Sequence, residues 1–558
     1  MNLLSRVAGM AVDRAIGLRG MAEAYTIHRD VDVPMPDGVV LLGDHYRPAR
    51  NDAPMPVVLI RSPYGRAGIS GAVYAAPLAR RGFQVFIQST RGTFGSGGQF
   101  RPFLNEREDG LATVAWLRQQ RWCDGRVSMT GGSYLGHTQW AVAPYVDPPL
   151  ESVSLNITAG KITAPFYEHG APGLYNALSW TGLIGRQERS PLAIAPNPVQ
   201  TARLRRALRK VPLQAADVDV AGAPVAFWRD FVEHSAAGDD FWARVDHHGA
   251  DLTRLPPVSM VTGWWDLFLP EQLRDYAAIR RAGVIATLTV GPWLHAEPGQ
   301  IRAISQQDVA WLRHHLAGGA PPSHAPVRVY LQQAGRWLEF DQWPPPGAIE
   351  TSYYLRTAGR LMAGSEPGEP MPAWFIYDPA DPTPSAGGPV LQPPSKQVDN
   401  VAIETRSDVL TYTTGPLAAD RDIVGPVSAR IFVRTEAPYA DVFVRLCDVD
   451  DKNVSRNIVD GIRRLSPDTV PAADVKVGAD EVLAVDVQLF PTAYRVRAGH
   501  RLRLQVCGGS FPRYARNLGT AEPFGAARSG RRCRFEIFAD SEHASCLVVP
   551  FLGETAST

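Results

Sequence analysis

The chain has 558 residues, of which 45% are hydrophobic, and its 57 Lys and Arg residues against 56 Asp and Glu give a formal net charge of +1. This balance excludes the basic surface of a nucleic-acid-binding protein and charge-driven docking on a membrane. The hydrophobic content excludes a disordered chain, and no window approaches the roughly 18 apolar residues of a membrane span. We expect a globular protein of roughly two to four domains, monomeric or homo-oligomeric, that acts on small molecules.

The first 24 residues are predicted to form an amphipathic helix that packs on the body of the protein. Leu4, Val7, Ala11, Ala15 and Leu18 recur at helical spacing. Charged residues interrupt the short apolar stretch, which argues against a secretory signal. We therefore predict a cytoplasmic protein.

The five cysteines are odd in number and show no metal-ligand spacing: Cys123, Cys447, Cys507, Cys533 and Cys546. They predict neither a disulfide framework nor a metal site. The glycines of segment 91–98 do not form G-x-G-x-x-G and lack a ribose-binding acid, so they do not indicate a dinucleotide site. We predict no cofactor.

Alternating β-rich and helical segments in 25–160 and 251–330 predict an α/β domain with a mostly parallel sheet. Residues 161–250 lose the strand pattern and are interpreted as a helical cap inserted into that domain. Within 335–558, short runs alternate polar and apolar residues between turn signals. This pattern is typical of a β-sandwich.

The most informative segment is 126–143, in which a β-rich run enters a Gly-Gly-Ser turn and continues as a helix. This is the context of a nucleophile elbow, and it makes Ser133 the candidate nucleophile. Gly131, Gly132 and Gly136 would let strand and helix approach closely. The second glycine lies three residues after Ser133, not two, so an ordinary glycine-rich turn is the alternative interpretation.

A serine nucleophile needs a base and a residue that orients the base. Asp266 closes one predicted strand and His295 closes the next. Because ligands bind beyond the carboxyl ends of the strands in such sheets, both residues should lie beside Ser133. The chain order Ser, Asp, His is that of α/β-hydrolases. Taken alone, Asp266 could be a helix cap and His295 an ordinary loop histidine.

Motifs spread over most of the chain identify a resemblance. In the first part they are VPMPDG at 33–38, DHYRP at 44–48, RSPY at 61–64, RGTFGSGG at 91–98, EREDG at 106–110, WCDGRV at 122–127 and GGSYLG at 131–136. Further along they are GWWD at 263–266, GPWLH at 291–295, GPL at 415–417 and GPV at 425–427. The chain resembles the cocaine esterase and X-prolyl dipeptidyl-peptidase-like family of serine acyl hydrolases.

This resemblance implies an α/β-hydrolase domain, a helical cap and a C-terminal jelly-roll sandwich. By matching positions, Ser133 would be the nucleophile, His295 the general base and acid, and Asp266 the residue that fixes the imidazole tautomer. The oxyanion hole would combine the backbone N–H of Tyr134 with the hydroxyl of Tyr64.

The acyl pocket is predicted from the aromatic residues beside Asp266, which are Trp264, Trp265 and Phe268. An apolar wall suits a neutral ester. The segment after Asp266 lacks the nearby acid that would pair with an α-ammonium group of a substrate. Glu168 and Glu188 of the cap could still supply one, so this point stays open.

The leading interpretation is a serine hydrolase that cleaves carboxyl esters of small organic acids. An X-prolyl dipeptidyl-peptidase or an amidase or acylase is the second interpretation. A catalytically silent protein that binds through its C-terminal sandwich is the third, since jelly rolls also serve as binding modules.

Overall fold

The computed structural model describes residues 3–19, 23–49, 53–189, 197–235, 239–364, 371–391, 396–466 and 481–553, with side chains from residue 9 onward. The side chains of Leu4 and Val7, which helped to predict the N-terminal helix, lie outside the described residues, as do parts of the predicted cap and sandwich. Within the described ranges, no helix has the length and apolar character needed to cross a membrane.

The chain begins with a helix and the first strands of a large sheet. In chain order the elements are α1 (Leu3–Ala15), β1 (Tyr25–Pro34), β2 (Val40–Pro48), β3 (Met55–Ser62), α2 (Gly68–Ser70), α3 (Ala76–Ala79), β4 (Gln84–Ser89), α4 (Glu106–Arg118), β5 (Cys123–Gly132), α5 (Tyr134–Trp140) and β6 (Val153–Asn156). A π-helical turn at Gly71–Ala75 joins α2 to α3. Strand β4 is buried along its whole length and β3 along most of it, as expected for central parallel strands.

Helix α1 packs on the body of the protein, but two residues of its predicted apolar face, Ala11 and Ala15, are exposed. Asp13 is buried and accepts a hydrogen bond from Arg80 Nε at 2.9 Å. Leu18 is buried just beyond the helix. The buried ion pair fixes the rotation of the helix, which the apolar pattern alone did not reveal.

In the described residues of the predicted cap, 161–189, 197–235 and 239–250, there are a short hairpin and four helices. These are β7 (Tyr167–Glu168), β8 (Ala171–Pro172), α6 (Leu174–Ile184), α7 (Pro198–Leu208), α8 (Ala216–Ala221) and α9 (Ala226–Glu233). Two 3₁₀ turns follow at Trp242–Arg244 and Leu252–Arg254. The aromatic core of the cap continues into Tyr134 and Phe268, so the cap packs over one edge of the sheet.

The sheet resumes with β9 (Val258–Trp265), α10 (Leu269–Arg281), β10 (Ala286–Leu294), α11 (Pro298–Ala317), β11 (Val327–Leu331) and β12 (Arg336–Phe340). The strand order is β1-β2-β4-β3-β5-β6-β9-β10-β11-β12, and the strands from β4 to β11 in that order are parallel. The carboxyl ends of β3, β5, β9 and β10 therefore share one edge.

The predicted boundary between the α/β domain and the sandwich, at 330–335, falls inside an antiparallel hairpin of the first sheet. Strand β12 extends this sheet to Phe340. The five residues of β12 are mostly half-buried or exposed, so their sequence gives only a weak strand signal. The change of domain instead coincides with the prolines at 344–346.

The C-terminal part is all-β, as predicted. Its elements are β13 (Ala348–Arg356), β14 (Arg360–Ala363), β15 (Ala373–Tyr377), α12 (Val401–Glu404), β16 (Val409–Thr413), β17 (Arg421–Gly425), β18 (Ser428–Thr435), β19 (Ala440–Val449), β20 (Ser455–Leu465), β21 (Leu483–Gln488), β22 (Thr492–Val496), β23 (Arg501–Cys507), β24 (Cys533–Phe538) and β25 (Cys546–Leu552). In β21 every second residue is buried, which matches the predicted period of two. The jelly-roll connectivity stays a prediction.

The C-terminal domain joins the first sheet through backbone hydrogen bonds. The N–H of Gln332, just after β11, donates to the carbonyl of Ala493 at 3.0 Å, and the N–H of Arg495 donates to the carbonyl of Gln332 at 3.0 Å. A continuous apolar core spans this contact. The two domains therefore form one packed body beside the cap.

Candidate active site

Ser133 lies at the turn between β5 and α5. Its backbone has φ 61° and ψ −124°, a sparsely populated conformation that persists only where neighbouring structure holds it. The Ser133 N–H donates to the carbonyl of Asn156, the last residue of β6, at 3.0 Å. The turn places Ser133 in the wall of a cavity at the carboxyl edge of the sheet.

Close packing explains the unusual spacing of the glycines around Ser133. A Cβ atom on Gly136 would lie 2.5 Å from Cγ2 of Thr158, and one on Gly132 would lie 2.9 Å from Cγ1 of Ile157. Both distances are too short for two carbon atoms that are not bonded. Gly136, three residues after Ser133, is therefore needed for α5 to pack beside the segment that follows β6.

Asp266 and His295 directly follow β9 and β10. His295 Nε2 lies 3.0 Å from Ser133 Oγ, and His295 Nδ1 lies 2.9 Å from Asp266 Oδ2. Because a carboxylate only accepts hydrogen bonds, Nδ1 carries the proton and Nε2 accepts from the serine hydroxyl. Asp266 is fully buried. The three residues form one hydrogen-bonded chain through which a proton can leave Ser133.

Gln300, in the first turn of α11, supports the hydrogen-bonded residues Asp266, His295 and Ser133. The sequence did not predict its role. Its Nε2 donates to Asp266 Oδ2 at 3.1 Å, and its Oε1 accepts from the N–H of Ala296 at 2.6 Å. Gln300 is fully buried. It thus fixes both the carboxylate and the loop that bears His295. A glutamine has no distinctive sequence signal, so only the structure could identify it.

Tyr64 and Tyr134, predicted to donate to the oxyanion, line the cavity together with Ser133. Tyr134 is the first residue of α5, so its N–H has no acceptor within the helix. The Tyr64 hydroxyl accepts from Trp180 Nε1 at 3.1 Å, which leaves its own proton available to a ligand. Burial raises the pKa of Tyr64 above its ordinary value, so the hydroxyl stays protonated.

The side chain of Tyr134 is committed to other contacts. Its hydroxyl donates to Glu106 Oε1 at 2.8 Å and accepts from the N–H of Phe103 at 2.8 Å. Glu106 is also paired with Arg61, at 2.8 Å between Oε2 and Nη1. Burial, and then the charge of Glu106, raise the pKa of Tyr134 well above its ordinary value. The backbone N–H, not the phenol, is therefore the group of Tyr134 that a ligand can use.

The cavity at Ser133 is mostly apolar and partly open to solvent. Its other lining residues come from all three parts of the chain: Tyr64, Phe103, Tyr134, Leu267, Phe268, His295, Ile162, Phe166, Asn176, Trp180 and Leu391. Phe268 was predicted to line it. The contributions of the cap and of Leu391 were missed, because sequence distance does not show which segments fold over the sheet edge.

Trp264 and Trp265 do not line this cavity, so their predicted role as pocket walls is wrong. Trp264 Nε1 donates to the carbonyl of Tyr330 at 2.7 Å, and Trp265 Nε1 donates to Gln332 Oε1 at 3.1 Å. Both rings lie in the core shared with the C-terminal domain. They are the last residues of β9, whose side chains project from the two faces of the sheet and not beyond its edge.

Neither Glu168 nor Glu188 supplies an acid to the cavity. Glu168 Oε2 accepts from the hydroxyl of Tyr514 at 2.5 Å, and Glu188 Oε1 accepts from the N–H of Phe94 at 2.9 Å. Among the residues with a described structure, no Asp or Glu lines the cavity. Metal ligands are equally lacking, since no group of three His, Cys, Asp or Glu residues in the described ranges could hold an ion.

Comparison with known families gives two matches. Residues 37–297 match the X-Pro dipeptidyl-peptidase (S15 family), and residues 321–530 match the X-Pro dipeptidyl-peptidase C-terminal non-catalytic domain. The chain is also similar to the cocaine esterase of Rhodococcus sp. (strain MB1 Bresler), with 30% identity over 95% of this chain and 99% of that protein.

Two solved structures share the fold at low identity. An aminopeptidase from the marine sediment archaeon Thaumarchaeota archaeon superposes with a TM-score of 0.77 at 22% identity and covers 95% of this chain and 97% of its own. An α-amino acid ester hydrolase gives a TM-score of 0.76 at 22% identity, with the same coverage of 95% and 97%. These similarities confirm the predicted α/β-hydrolase class with a C-terminal all-β domain.

Proposed function

The chain belongs to the S15 family of X-Pro dipeptidyl-peptidases and related serine hydrolases, and from this premise we propose that it hydrolyses carboxyl esters of small organic acids. The observation that supports this proposal is the hydrogen-bonded chain Asp266, His295 and Ser133 beside an apolar cavity. The relative that matches almost the whole chain is itself named as an esterase.

In the proposed first step, Ser133 Oγ attacks the carbonyl carbon of the ester while its proton passes to His295 Nε2. Asp266 accepts from Nδ1 and stabilises the imidazolium that forms. The tetrahedral intermediate then expels the alcohol, which takes the proton from Nε2. The products of this step are the free alcohol and an acyl group bound to Ser133.

Water completes the cycle by the reverse sequence of proton transfers. His295 Nε2 takes a proton from water as its oxygen attacks the acyl carbon, and the same proton returns to Ser133 Oγ as the acid leaves. In both steps the charge that develops on the carbonyl oxygen is stabilised by the Tyr64 hydroxyl and the N–H of Tyr134. These donors are fixed before substrate binds, by Trp180 and by the start of α5.

Cleavage of X-Pro peptides or other amides is the second candidate, because the matched family is named for that activity. Recognition of a free substrate amine inside a pocket needs a carboxylate partner. Among the residues that the structure describes, no Asp or Glu lines this cavity. This observation favours neutral esters. No observation favours a catalytically inactive binding protein, since the hydrogen bonds that link Asp266, His295 and Ser133 are intact.

The state of the cysteines supports a proposal for the cellular compartment of this activity. All five cysteines are free thiols, and four of them are buried. Free thiols are typical of a reducing compartment, which supports the proposal of a cytoplasmic enzyme. The proposed partners are small neutral esters, and the C-terminal domain is proposed to be a jelly roll.

Labelling with a fluorophosphonate tests the nucleophile, because this reagent forms a covalent bond with an activated serine. We expect labelling of the wild type and of Ser323→Ala, which removes an exposed serine, but not of Ser133→Ala. Equal labelling of Ser133→Ala would refute the assignment. Comparison of kcat/KM for neutral aryl and alkyl esters with that for X-Pro amides separates the two activities, and a preference for the amides would overturn the ester proposal.

A further inference from the structure

Asn176, in helix α6 of the cap, is a polar residue in the cavity wall that the proposed reaction does not use. It is 5% exposed, so it is almost completely buried. Its Oδ1 accepts from the backbone N–H of Leu391 at 2.9 Å. This bond joins the cap to the C-terminal domain at the wall of the cavity.

The contact with Leu391 determines which way the amide of Asn176 points. A backbone N–H can only donate, so the amide oxygen must face Leu391 and the NH₂ group must face away. In the part of the chain that the structure describes, this NH₂ group has no hydrogen-bond acceptor. Asn176 is not among the side chains with a fully buried, unpaired polar atom, so its NH₂ group is accessible to water or to a ligand that can accept a hydrogen bond.

The surroundings of Asn176 in the cavity are apolar. Ile162, Phe166 and Leu391 line the same cavity, and the indole N–H of Trp180 is already donated to Tyr64. Trp180 lies four residues after Asn176, on the same face of α6. The NH₂ group is thus a single fixed donor in an apolar wall that also includes part of the proposed oxyanion site.

We propose that Asn176 determines specificity by donating a hydrogen bond to a neutral oxygen acceptor of the substrate, such as an ether, carbonyl or hydroxyl oxygen. This inference rests on the proposed ester hydrolysis and names its substrate class. The preferred esters carry such an oxygen in the acyl group or in the alcohol, at a distance from the ester bond. Plain hydrocarbon esters leave the donor unpaired and react more slowly.

Charged substrates do not fit this donor. An ammonium group cannot accept a hydrogen bond, and it would need a carboxylate, which the described lining residues do not provide. A substrate carboxylate would lose its hydration on entering the cavity and gain only one amide N–H as a partner, because no described Lys or Arg lines the cavity. A neutral acceptor is therefore the chemistry that the site suits.

Pairs of esters that differ by one oxygen in place of one methylene test this assignment. One series varies the acyl chain with a common p-nitrophenol leaving group, and a second varies the alcohol with a common acetyl group. For each pair, the ratio of kcat/KM is measured for the wild type and for Asn176→Leu. We expect the preference for the oxygen-containing ester to fall about tenfold in Asn176→Leu in at least one series. The intrinsic reactivity of the two esters cancels, because the same pair is compared in the wild type and in the variant.

Two further variants show whether a changed preference results from the lost hydrogen bond or from a changed shape of the pocket. Asn176→Ala should lose the same preference, whereas Ile162→Val, which trims the same wall without removing a polar group, should keep it. Fluorophosphonate titration gives the concentration of folded active sites for each variant. If ester hydrolysis persists but the ratios are unchanged in both series, the role of Asn176 is refuted. If no ester is cleaved and Ser133 is not labelled, the proposed function itself fails.

Discussion

Trp180 donates its indole N–H to the hydroxyl of Tyr64 at 3.1 Å, so a helix of the cap holds a residue that follows β3 of the sheet. The phenol oxygen accepts this bond, and its own proton is then directed elsewhere. Both side chains line the cavity at Ser133. The cap therefore does more than cover the site, because it orients a group proposed to stabilise the oxyanion.

Replacing Tyr64 with phenylalanine should lower kcat by about a hundredfold and change KM little, because an oxyanion donor acts in the transition state more than in the ground state. Steady-state kinetics with an aryl ester measures this effect. Tyr175→Phe, the same change at a neighbouring tyrosine that does not line the cavity, is the control and should keep full activity. A loss smaller than about threefold in Tyr64→Phe would contradict the assigned role.

Trp180→Phe should lower kcat by about fivefold, which corresponds to the loss of one hydrogen bond of about 1 kcal/mol. The effect should depend on Tyr64. In a Tyr64→Phe background, Trp180→Phe should reduce kcat far less, since no hydroxyl remains to be oriented. Equal reductions in both backgrounds would show that Trp180 acts through pocket shape and not through Tyr64.

The sequence predicted that Ser133, Asp266 and His295 lie together, because each of them lies at the end of a strand. Ser133, Asp266 and His295 follow strands whose apolar runs are easily recognised, and parallel strands bring their carboxyl ends to one edge. The β-rich alternation of the C-terminal domain was predictable for the same reason, because burial of one sheet face imposes a period of two.

The rest of the site depends on long-range packing that no local pattern encodes. Their position just before Asp266 predicts that Trp264 and Trp265 line the pocket, yet their strand directs them into the core. Trp180 and Asn176 reach the cavity only because the cap folds back over the sheet edge. Gln300 supports Asp266 through a helix that begins after the loop of His295. Such contacts join segments whose separation in sequence gives no indication of proximity.

Gln300→Leu should lower kcat by about tenfold, because a hydrogen bond to a charged group contributes about 1.5–3 kcal/mol and Asp266 would lose one. The loop at Ala296 would also lose its acceptor. Gln306→Leu, an exposed position in the same helix, is the matched control and should retain wild-type kcat. Unchanged activity of Gln300→Leu, measured with the same ester, would show that the other contacts suffice to hold Asp266.

Gly136→Ala should destabilise the protein by about 1–3 kcal/mol and lower kcat, because the added methyl group would overlap Thr158 and push α5 away from the sheet. Thermal unfolding and ester hydrolysis measure the two effects. Gly249→Ala is the control, since a Cβ atom there meets no neighbour within 4 Å. An unchanged thermal midpoint in Gly136→Ala would mean that the close approach to Thr158 is not maintained in solution.

A buried carboxyl group at the edge of the cap should make the free energy of unfolding of the protein decrease as the pH rises. Asp275, in α10, is almost completely buried, and its Oδ2 accepts from the N–H of Gly160 at 2.7 Å. Burial raises the pKa of Asp275 to about 8, partly offset by this hydrogen bond. An asparagine has the same shape, can accept the same hydrogen bond and cannot ionise.

In the unfolded chain Asp275 has a pKa of about 3.9. Between that value and the pKa of about 8 in the folded protein, the folded state keeps a proton that the unfolded state has lost, so raising the pH destabilises the wild type. The thermal midpoint of the wild type, relative to that of Asp275→Asn, should therefore fall from pH 4 to pH 8 and level off above about pH 8. Scanning calorimetry across this range measures the difference. The exposed Asp251→Asn is the control, and the midpoint of the wild type relative to that of Asp251→Asn should show no such fall. A constant difference between the wild type and Asp275→Asn would show that Asp275 is ionised in the folded protein throughout.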